Sequence, residues 1–194
     1  MIVVTHPNHI PYINKVLALP TEGPYLSVYS YSPENYPVNQ ESKLTLTIRN
    51  VGNESVNGEA KVTLRSESEL VKLVDSVAVF TSLEPESTLN LTDEFSLIVD
   101  KSFKNQDAIV LQAKIEYDTL VWNNKFAVNV VTPVMEYVGI EWDEAFEPGG
   151  THTLQANFKN TGHYKAVNAK VEATSSNEYI KFKNTTSNVD VIDV

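Results

Sequence analysis

The chain has 194 residues, of which 42% are hydrophobic, and its formal net charge is −10 at pH 7. A surface this negative repels nucleic-acid phosphates and anionic lipid headgroups, and no apolar run is long enough to cross a bilayer, so we expect neither nucleic-acid binding nor membrane insertion. The chain contains no cysteine, which excludes disulfides, thiolate metal sites and a thiol nucleophile within it.

The first 23 residues are predicted to be the terminal strands of a preceding domain followed by a linker. Met1–Thr5 is rich in β-branched residues, whereas two prolines within residues 6–12 exclude a central strand there. A second apolar run, Lys15–Leu19, precedes the strong turn signal Pro20–Pro24. The sequence therefore predicts three parts: residues 1–23, an immunoglobulin-like β-sandwich at 24–132, and a partial second β-sandwich at 133–194.

Apolar and polar residues alternate in a series of short stretches from Tyr25 onward. In the clearest stretch, Leu44, Leu46 and Ile48 are predicted to point inward. About eight such stretches with turn signals between them predict an antiparallel sandwich of immunoglobulin-like type, and none keeps a helical period. Pro33–Pro37 is predicted to be a loop and Asn123-Asn124 a hairpin turn. The other predicted strands contain Leu26 and Val28, Ala60–Leu64, Leu70–Val74, Ser76–Phe80, Leu91–Val99, Leu111–Tyr117 and Phe126–Val130.

An internal repeat is the strongest signal in the sequence. Leu44–Gly52 is echoed by Leu154–Gly162 at a shift of 110, and Ser66–Leu73 overlays Ser175–Phe182 at a shift of 109. A shift held this closely predicts tandem modules of one fold. A second full unit from Pro133 would run to about residue 240, so the second module is predicted to be incomplete.

Half a sandwich exposes its inner face and an unpaired sheet edge. Two explanations remain open. The chain is a piece of a longer protein, or the missing strands come from the N-terminal segment or from a neighbouring chain by strand exchange.

The motif Asn-x-Gly ends the repeated strand in both copies. Gly52 and Gly162 are predicted to adopt positive φ in a turn that Asn50 and Asn160 close through their side chains. The substitution Gly52→Val is therefore expected to destabilise the fold by roughly 1–3 kcal/mol.

Three tyrosines suggest one candidate ligand surface. Tyr29 and Tyr31 are two residues apart on a predicted strand and should share a face, with Tyr36 close by. Such rings can stack on sugars, although packing at the edge of the core is the more frequent role. The repeat places Gly139 and Glu141 at the positions of Tyr29 and Tyr31, so the tyrosines are not a property of the module.

No catalytic, cofactor or metal site is predicted. His6 and His9 are separated by Pro7 and lack a third ligand, and there is no Gly-x-Ser-x-Gly motif. His152 is predicted to point outward from its strand, and His163 to lie in the turn after Gly162. Calcium binding near the acidic residues of one loop stays open, because calcium prefers carboxylate oxygens. The acidic residues of this loop are Asp143, Glu144 and Glu147.

Four segments together resemble a known family: Val3–Tyr12, Leu19–Tyr25, Glu147–Thr151 and Lys159–Gly162. They are similar to the C-terminal region of gingipain-like cysteine peptidases of Bacteroidetes. The resemblance implies an immunoglobulin-like domain behind a catalytic domain, followed by further sandwich modules. No catalytic residue carries over, because the family's Cys and His belong to a domain outside this sequence.

The expected function is a non-catalytic spacer or interaction region, extracellular or on a bacterial cell surface, accessory to a secreted peptidase. Its expected partners are neighbouring domains of the same polypeptide, and a host protein or glycan is a further candidate. The alternative is an adhesion or carbohydrate-binding module.

Overall fold

The computed structural model describes residues 2–4, 12–14, 22–143 and 147–194, and every regular element in them is a β-strand. The predicted all-β architecture is thereby confirmed. His6, His9, the run at 15–19 and Glu144 lie outside the described residues. The strands are β1 (Ile2–Val4), β2 (Tyr12–Asn14), β3 (Leu26–Ser32), β4 (Asn35–Pro37), β5 (Glu41–Asn50), β6 (Val56–Ser66), β7 (Val71–Asp75), β8 (Val77–Leu83), β9 (Thr88–Val99), β10 (Ala108–Tyr117), β11 (Leu120–Val131), β12 (Met135–Trp142), β13 (Leu154–Asn160), β14 (Ala166–Glu172) and β15 (Thr186–Ile192).

Strands β3 to β11 form a two-layer sandwich, the first module. One sheet has five strands in the order β4-β11-β10-β6-β8, and the other has four in the order β3-β5-β9-β7. All pairs are antiparallel except β11 with β4. Alternate residues of each sheet face the space between the layers and bury one continuous core. The predicted inward residues Leu44, Leu46 and Ile48 lie at its centre, fully buried.

Two predicted turns are placed differently in the structure. Asn123 and Asn124 lie inside β11, and the hairpin turn falls at Asp118, where φ is +51°. Tyr117 pairs with Leu120, so the loop has two residues. The segment 33–37, predicted to be a loop, contains the short strand β4, which pairs in parallel with the end of β11.

Strand β3 contains a β-bulge that the alternation does not show. Its register shifts between Val28 and Ser30, so Tyr29 is the extra residue. Tyr31 then pairs with Leu46 and turns toward the core, while Tyr29 stays exposed. The prediction that the two tyrosines share a face is therefore wrong, because a bulge reverses the alternation beyond it.

The second repeat reproduces the start of the first module as two strand pairs. β12 pairs with β13 as β3 pairs with β5, and β14 pairs with β15 as β6 pairs with β8. The bulge recurs between Tyr137 and Gly139. The paired registers therefore equate Tyr29 with Val138 and Tyr31 with Ile140, which corrects the assignment of Gly139 and Glu141 to those positions.

No counterpart of β7 forms within the described part of the second repeat. Residues 173–185, which include the overlay of Ser66–Leu73, contain no strand, and Tyr179 is 86% exposed. In the first module β7 takes its ladder partner from β9. Among the described residues no strand pairs with the segment 173–185, and a strand without a ladder partner has little reason to form.

The N-terminal segment contributes one antiparallel pair, in which Ile2–Val4 faces Tyr12–Asn14. Strand β1 lies within the β-branched run Met1–Thr5, whereas β2 begins before the second predicted run, Lys15–Leu19. The boundaries proposed at 23/24 and 132/133 stay predictions.

Candidate functional site

Each repeat contains a buried asparagine that fixes the segment entering its module. The Oδ1 of Asn50 accepts hydrogen bonds from the amides of Tyr25 (3.1 Å) and Gly52 (3.0 Å). Its Nδ2 donates to the carbonyls of Glu54 (2.7 Å) and Leu83 (3.2 Å). All four side-chain bonding positions of a fully buried amide are thus used. We call this arrangement the entry clamp.

The second repeat has the same entry clamp around Asn160. Its Oδ1 accepts from the amides of Val134 (3.1 Å) and Gly162 (3.0 Å). Its Nδ2 donates to the carbonyls of Tyr164 (2.8 Å) and Ile192 (3.3 Å). The clamp therefore recurs with the module and is not specific to one turn.

The glycines of the two clamps are required by space. Neither Gly52 nor Gly162 is among the residues with positive φ. Instead, a Cβ at Gly52 would collide with the carbonyl of Gly23 and lie 2.5 Å from the amide nitrogen of Tyr25. A Cβ at Gly162 would meet the incoming segment in the same way, 2.5 Å from the amide nitrogen of Val134. The two glycines are needed because a backbone segment lies against each of them. The predicted positive φ is wrong.

Further hydrogen bonds join the two modules on either side of the second clamp. Asn105 accepts from the amide of Thr132 at 3.1 Å and places its Nδ2 2.7 Å from Nδ1 of His163. Gln40 donates to the hydroxyl of Tyr164 at 3.1 Å. The segment between β11 and β12 is thus held both by the module it leaves and by the module it enters. No signal in the sequence had given His163 a partner, since Asn105 lies 58 positions away.

The three tyrosines do not form one exposed platform. Tyr36 is fully buried, and Tyr31 packs its ring 4.6 Å from that of Phe126 while its hydroxyl donates to a backbone carbonyl. Tyr29 alone is largely exposed, at 62%, with the guanidinium of Arg49 5.5 Å from its ring centroid. Two of the three rings thus pack in or against the core, and only the ring of Tyr29 remains for stacking on a ligand.

Tyr36→Phe is expected to leave the first module at least as stable as the parent. The Tyr36 hydroxyl is buried without a hydrogen-bond partner among the described residues, and burial raises its pKa. Removing an unpaired buried hydroxyl relieves a desolvation penalty of about 1 kcal/mol or more. Urea unfolding measures the change. A loss of stability above about 1 kcal/mol would mean that the hydroxyl has a partner that stabilises the fold.

Two side chains of the acidic loop after β12, those of Asp143 and His152, contact other residues of the loop. Asp143 accepts a hydrogen bond from the amide of Thr153 at 2.8 Å, and His152 lies 3.7 Å from its other oxygen. The His152 side chain is only 11% exposed and its Nε2 lies 3.3 Å from the amide of Glu147. The prediction that His152 points outward is therefore wrong, because the backbone at Glu147 and Gly150 lies against the ring. Within the described residues, no three His, Cys, Asp or Glu side chains form a group that could hold a metal ion.

Acid is expected to loosen this loop. The Thr153 amide holds the pKa of Asp143 below its usual value. A carboxyl with a lowered folded-state pKa stabilises the fold above its unfolded pKa, near 4, and loses that contribution as the pH falls through the folded pKa. The Thr153 amide resonance should therefore shift as the pH falls below about 4. Asp143→Asn should abolish the titration, and a titration that survives would assign it to another group.

No protein-family model matches the chain, and a comparison with curated proteins likewise finds no match. Among solved structures, the solution and crystal structures of the CARDB domain of a Pyrococcus furiosus protein share 21% and 22% identity with it. They cover 56% and 62% of this chain and 96% and 99% of their own, at TM-scores of 0.37 and 0.39. Trypsin-activated α2-macroglobulin from Escherichia coli shares 18% identity over 71% of this chain and 10% of its own, at a TM-score of 0.39.

At these identities and TM-scores the matches carry no argument about function. The fold class follows from the strand pairing itself: the chain is built from immunoglobulin-like β-sandwich modules in tandem. In the described ranges, no helix is long and apolar enough to cross a bilayer.

Proposed function

We propose that this chain is a non-catalytic spacer whose modules hold neighbouring domains of the same polypeptide at a fixed distance and angle. The observation that supports this proposal most directly is the entry clamp, which recurs with the same four hydrogen bonds around Asn50 and Asn160. A flexible tether needs no such device, because free linkers work without contacts. A module that clamps the segment entering it sets the direction of whatever precedes it.

The bonds across the junction support the same function. The pairs Gln40–Tyr164 and Asn105–His163 connect the first module to the turn that follows β13. Each bond contributes about 1 kcal/mol, so together they bias the inter-module angle by roughly 2 kcal/mol.

Distance measurements between the modules test this proposal. The chain lacks cysteine, so Glu59→Cys with Lys170→Cys allows one spin label on an exposed site of each module. We expect one narrow distance distribution. Adding Gln40→Ala and Asn105→Ala should broaden it clearly, because the two cross-junction bonds worth about 2 kcal/mol are lost.

Asn90→Ala is the matched control, since Asn90 lies exposed on the outer face of the first module and accepts a hydrogen bond from Thr47. It should leave the distribution unchanged. A broad distribution in the parent chain would contradict a fixed joint. A saturable hit for the purified chain on a glycan or host-protein array would replace the spacer function with adhesion.

The more specific part of the proposal places this spacer outside the cell, accessory to a secreted gingipain-like cysteine peptidase. It is supported by the resemblance of the four segments in the sequence. The coding sequence on either side of this chain tests it. A Cys/His peptidase domain encoded upstream supports the assignment, and an unrelated neighbour contradicts it while leaving the spacer function intact.

A further inference from the structure

We infer that the inner face of the second repeat is an acceptor for one added β-strand with the chemistry of β9. The acceptor face is defined by the residues of β12 and β13 whose register equivalents in β3 and β5 face the core of the first module. These are Met135, Tyr137, Ile140, Leu154, Ala156 and Phe158. The inference goes beyond the spacer function and does not depend on it.

Comparison with the first module shows that this face lacks its cover. Leu26 and Ile48 are fully buried, whereas their counterparts Met135 and Phe158 are 40% and 37% exposed. Tyr137 is 55% exposed. Apolar side chains of this size on one continuous face mark a surface that another polypeptide covers.

The edge of β13 is open on the side where β5 receives its partner. β5 pairs with β3 on one edge and with β9 on the other. Among the described residues β13 pairs with β12 alone. Its remaining N–H and C=O groups therefore form a template for an antiparallel strand. The missing counterpart of β7 agrees with this, since β7 also forms only against β9.

The first module specifies what the occupant must look like. In β9 the buried hydrophobic residues are Leu91, Phe95, Leu97 and Val99, and Phe95 faces Leu44. The occupant is thus an extended segment with large apolar side chains at alternating positions, antiparallel to β13.

Two substitutions between the repeats refine this specification. Leu46, which faces Leu91, is replaced by Ala156, so a larger residue fits at the Leu91 position. Ile48, which faces Leu89, is replaced by Phe158, so a smaller residue fits at the Leu89 position.

A synthetic peptide with the sequence of residues 88–99 tests the acceptor face on the full chain. We expect it to slow amide hydrogen exchange in β13 by about tenfold at saturation, since the new ladder bonds protect those amides. In a Trp122→Phe background, the emission of Trp142 should shift to the blue, because Trp142 pairs with Leu154 on the acceptor face. The same peptide with Leu91→Phe should bind more tightly.

The control peptide carries Leu91→Asp and Phe95→Asp and should have neither effect. In a second test the added strand belongs to the same chain, so the result does not depend on the affinity of a free peptide. Residues 86–132, appended after Val194, continue the repeat in register because Val194 corresponds to Pro85 at a shift of 109. The tether raises the effective concentration of the strand.

Three results would overturn the inference. The first is unprotected β13 amides with both the peptide and the appended strands. The second is equal protection by the control peptide. The third is a concentration-dependent dimer of the parent chain that already protects β13, because the occupant is then a second copy of this chain.

Discussion

Asn50→Ala is expected to lower the free energy of unfolding of the first module by about 3–5 kcal/mol, because it removes all four hydrogen bonds of the entry clamp. The carbonyls of Glu54 and Leu83 and the amides of Tyr25 and Gly52 then lose their partner in a buried site. Alanine cannot replace any of them, and the space is enclosed. An unsatisfied buried polar group is destabilising by about 1–3 kcal/mol each, with partial relief from water entry.

Urea unfolding with the fluorescence of Trp122, in a Trp142→Phe background, measures this loss in the first module. Asn90→Ala is the matched control, since its amide lies on the outer face and should change stability by no more than about 0.5 kcal/mol. Asn50→Asp keeps an acceptor but loses the donors, so it should not restore stability. A loss below about 1 kcal/mol for Asn50→Ala would mean that water replaces the amide at no net penalty.

The alternation of side chains predicted the core because it records which face of a strand is buried. Leu44, Leu46 and Ile48 were predicted to point inward from alternation alone, and all three are fully buried. The repeat also predicted a second unit of the same fold, and β12 to β15 pair as their counterparts in the first module do. Local pattern and final burial agree wherever a strand stays regular.

The errors arise where distant strands decide local geometry. The bulge at Tyr29 depends on the register against β5, and one extra residue moved Tyr31 from the surface to the core. Tyr36 was predicted to lie in a loop between Pro33 and Pro37, but the parallel pairing of β4 with β11 buries it. The hairpin turn formed at Asp118 because the pairing of β10 with β11 sets the loop position.

The candidate site was recognised from sequence but for the wrong reason. The recurrence of Asn50 and Gly52 at the same spacing marked a common device. The identity of its partners could not be predicted, because Leu83 lies 33 positions from Asn50 and the backbone of Gly23 crosses Gly52 from a different segment. A single sequence shows that a glycine is retained in two copies; only the fold shows what approaches it.

Gly52→Ala is expected to destabilise the first module by about 2–4 kcal/mol, because its Cβ would occupy the place of the backbone at 23–25. The colliding atoms belong to the main chain, among them the carbonyl of Gly23 and the amide nitrogen of Tyr25. Main-chain atoms cannot rotate away as a flexible side chain can. The incoming segment must shift as a unit, which also breaks the bond from the Val51 amide to the carbonyl of Tyr25.

Gly139→Ala is the control, since a Cβ there meets nothing within 4 Å and its φ is not positive. It should be neutral or stabilising by a few tenths of a kcal/mol through the unfolded chain. Amide exchange separates the two ways in which Gly52→Ala could act. Faster exchange at Val51 and Tyr25, with the β5 to β9 ladder still protected, is the expected pattern for a clamp that fixes the entering segment. Uniform loss of protection across the sandwich would mean that Gly52 supports the whole core, and the clamp would then lose its separate role in setting the direction of the preceding domain.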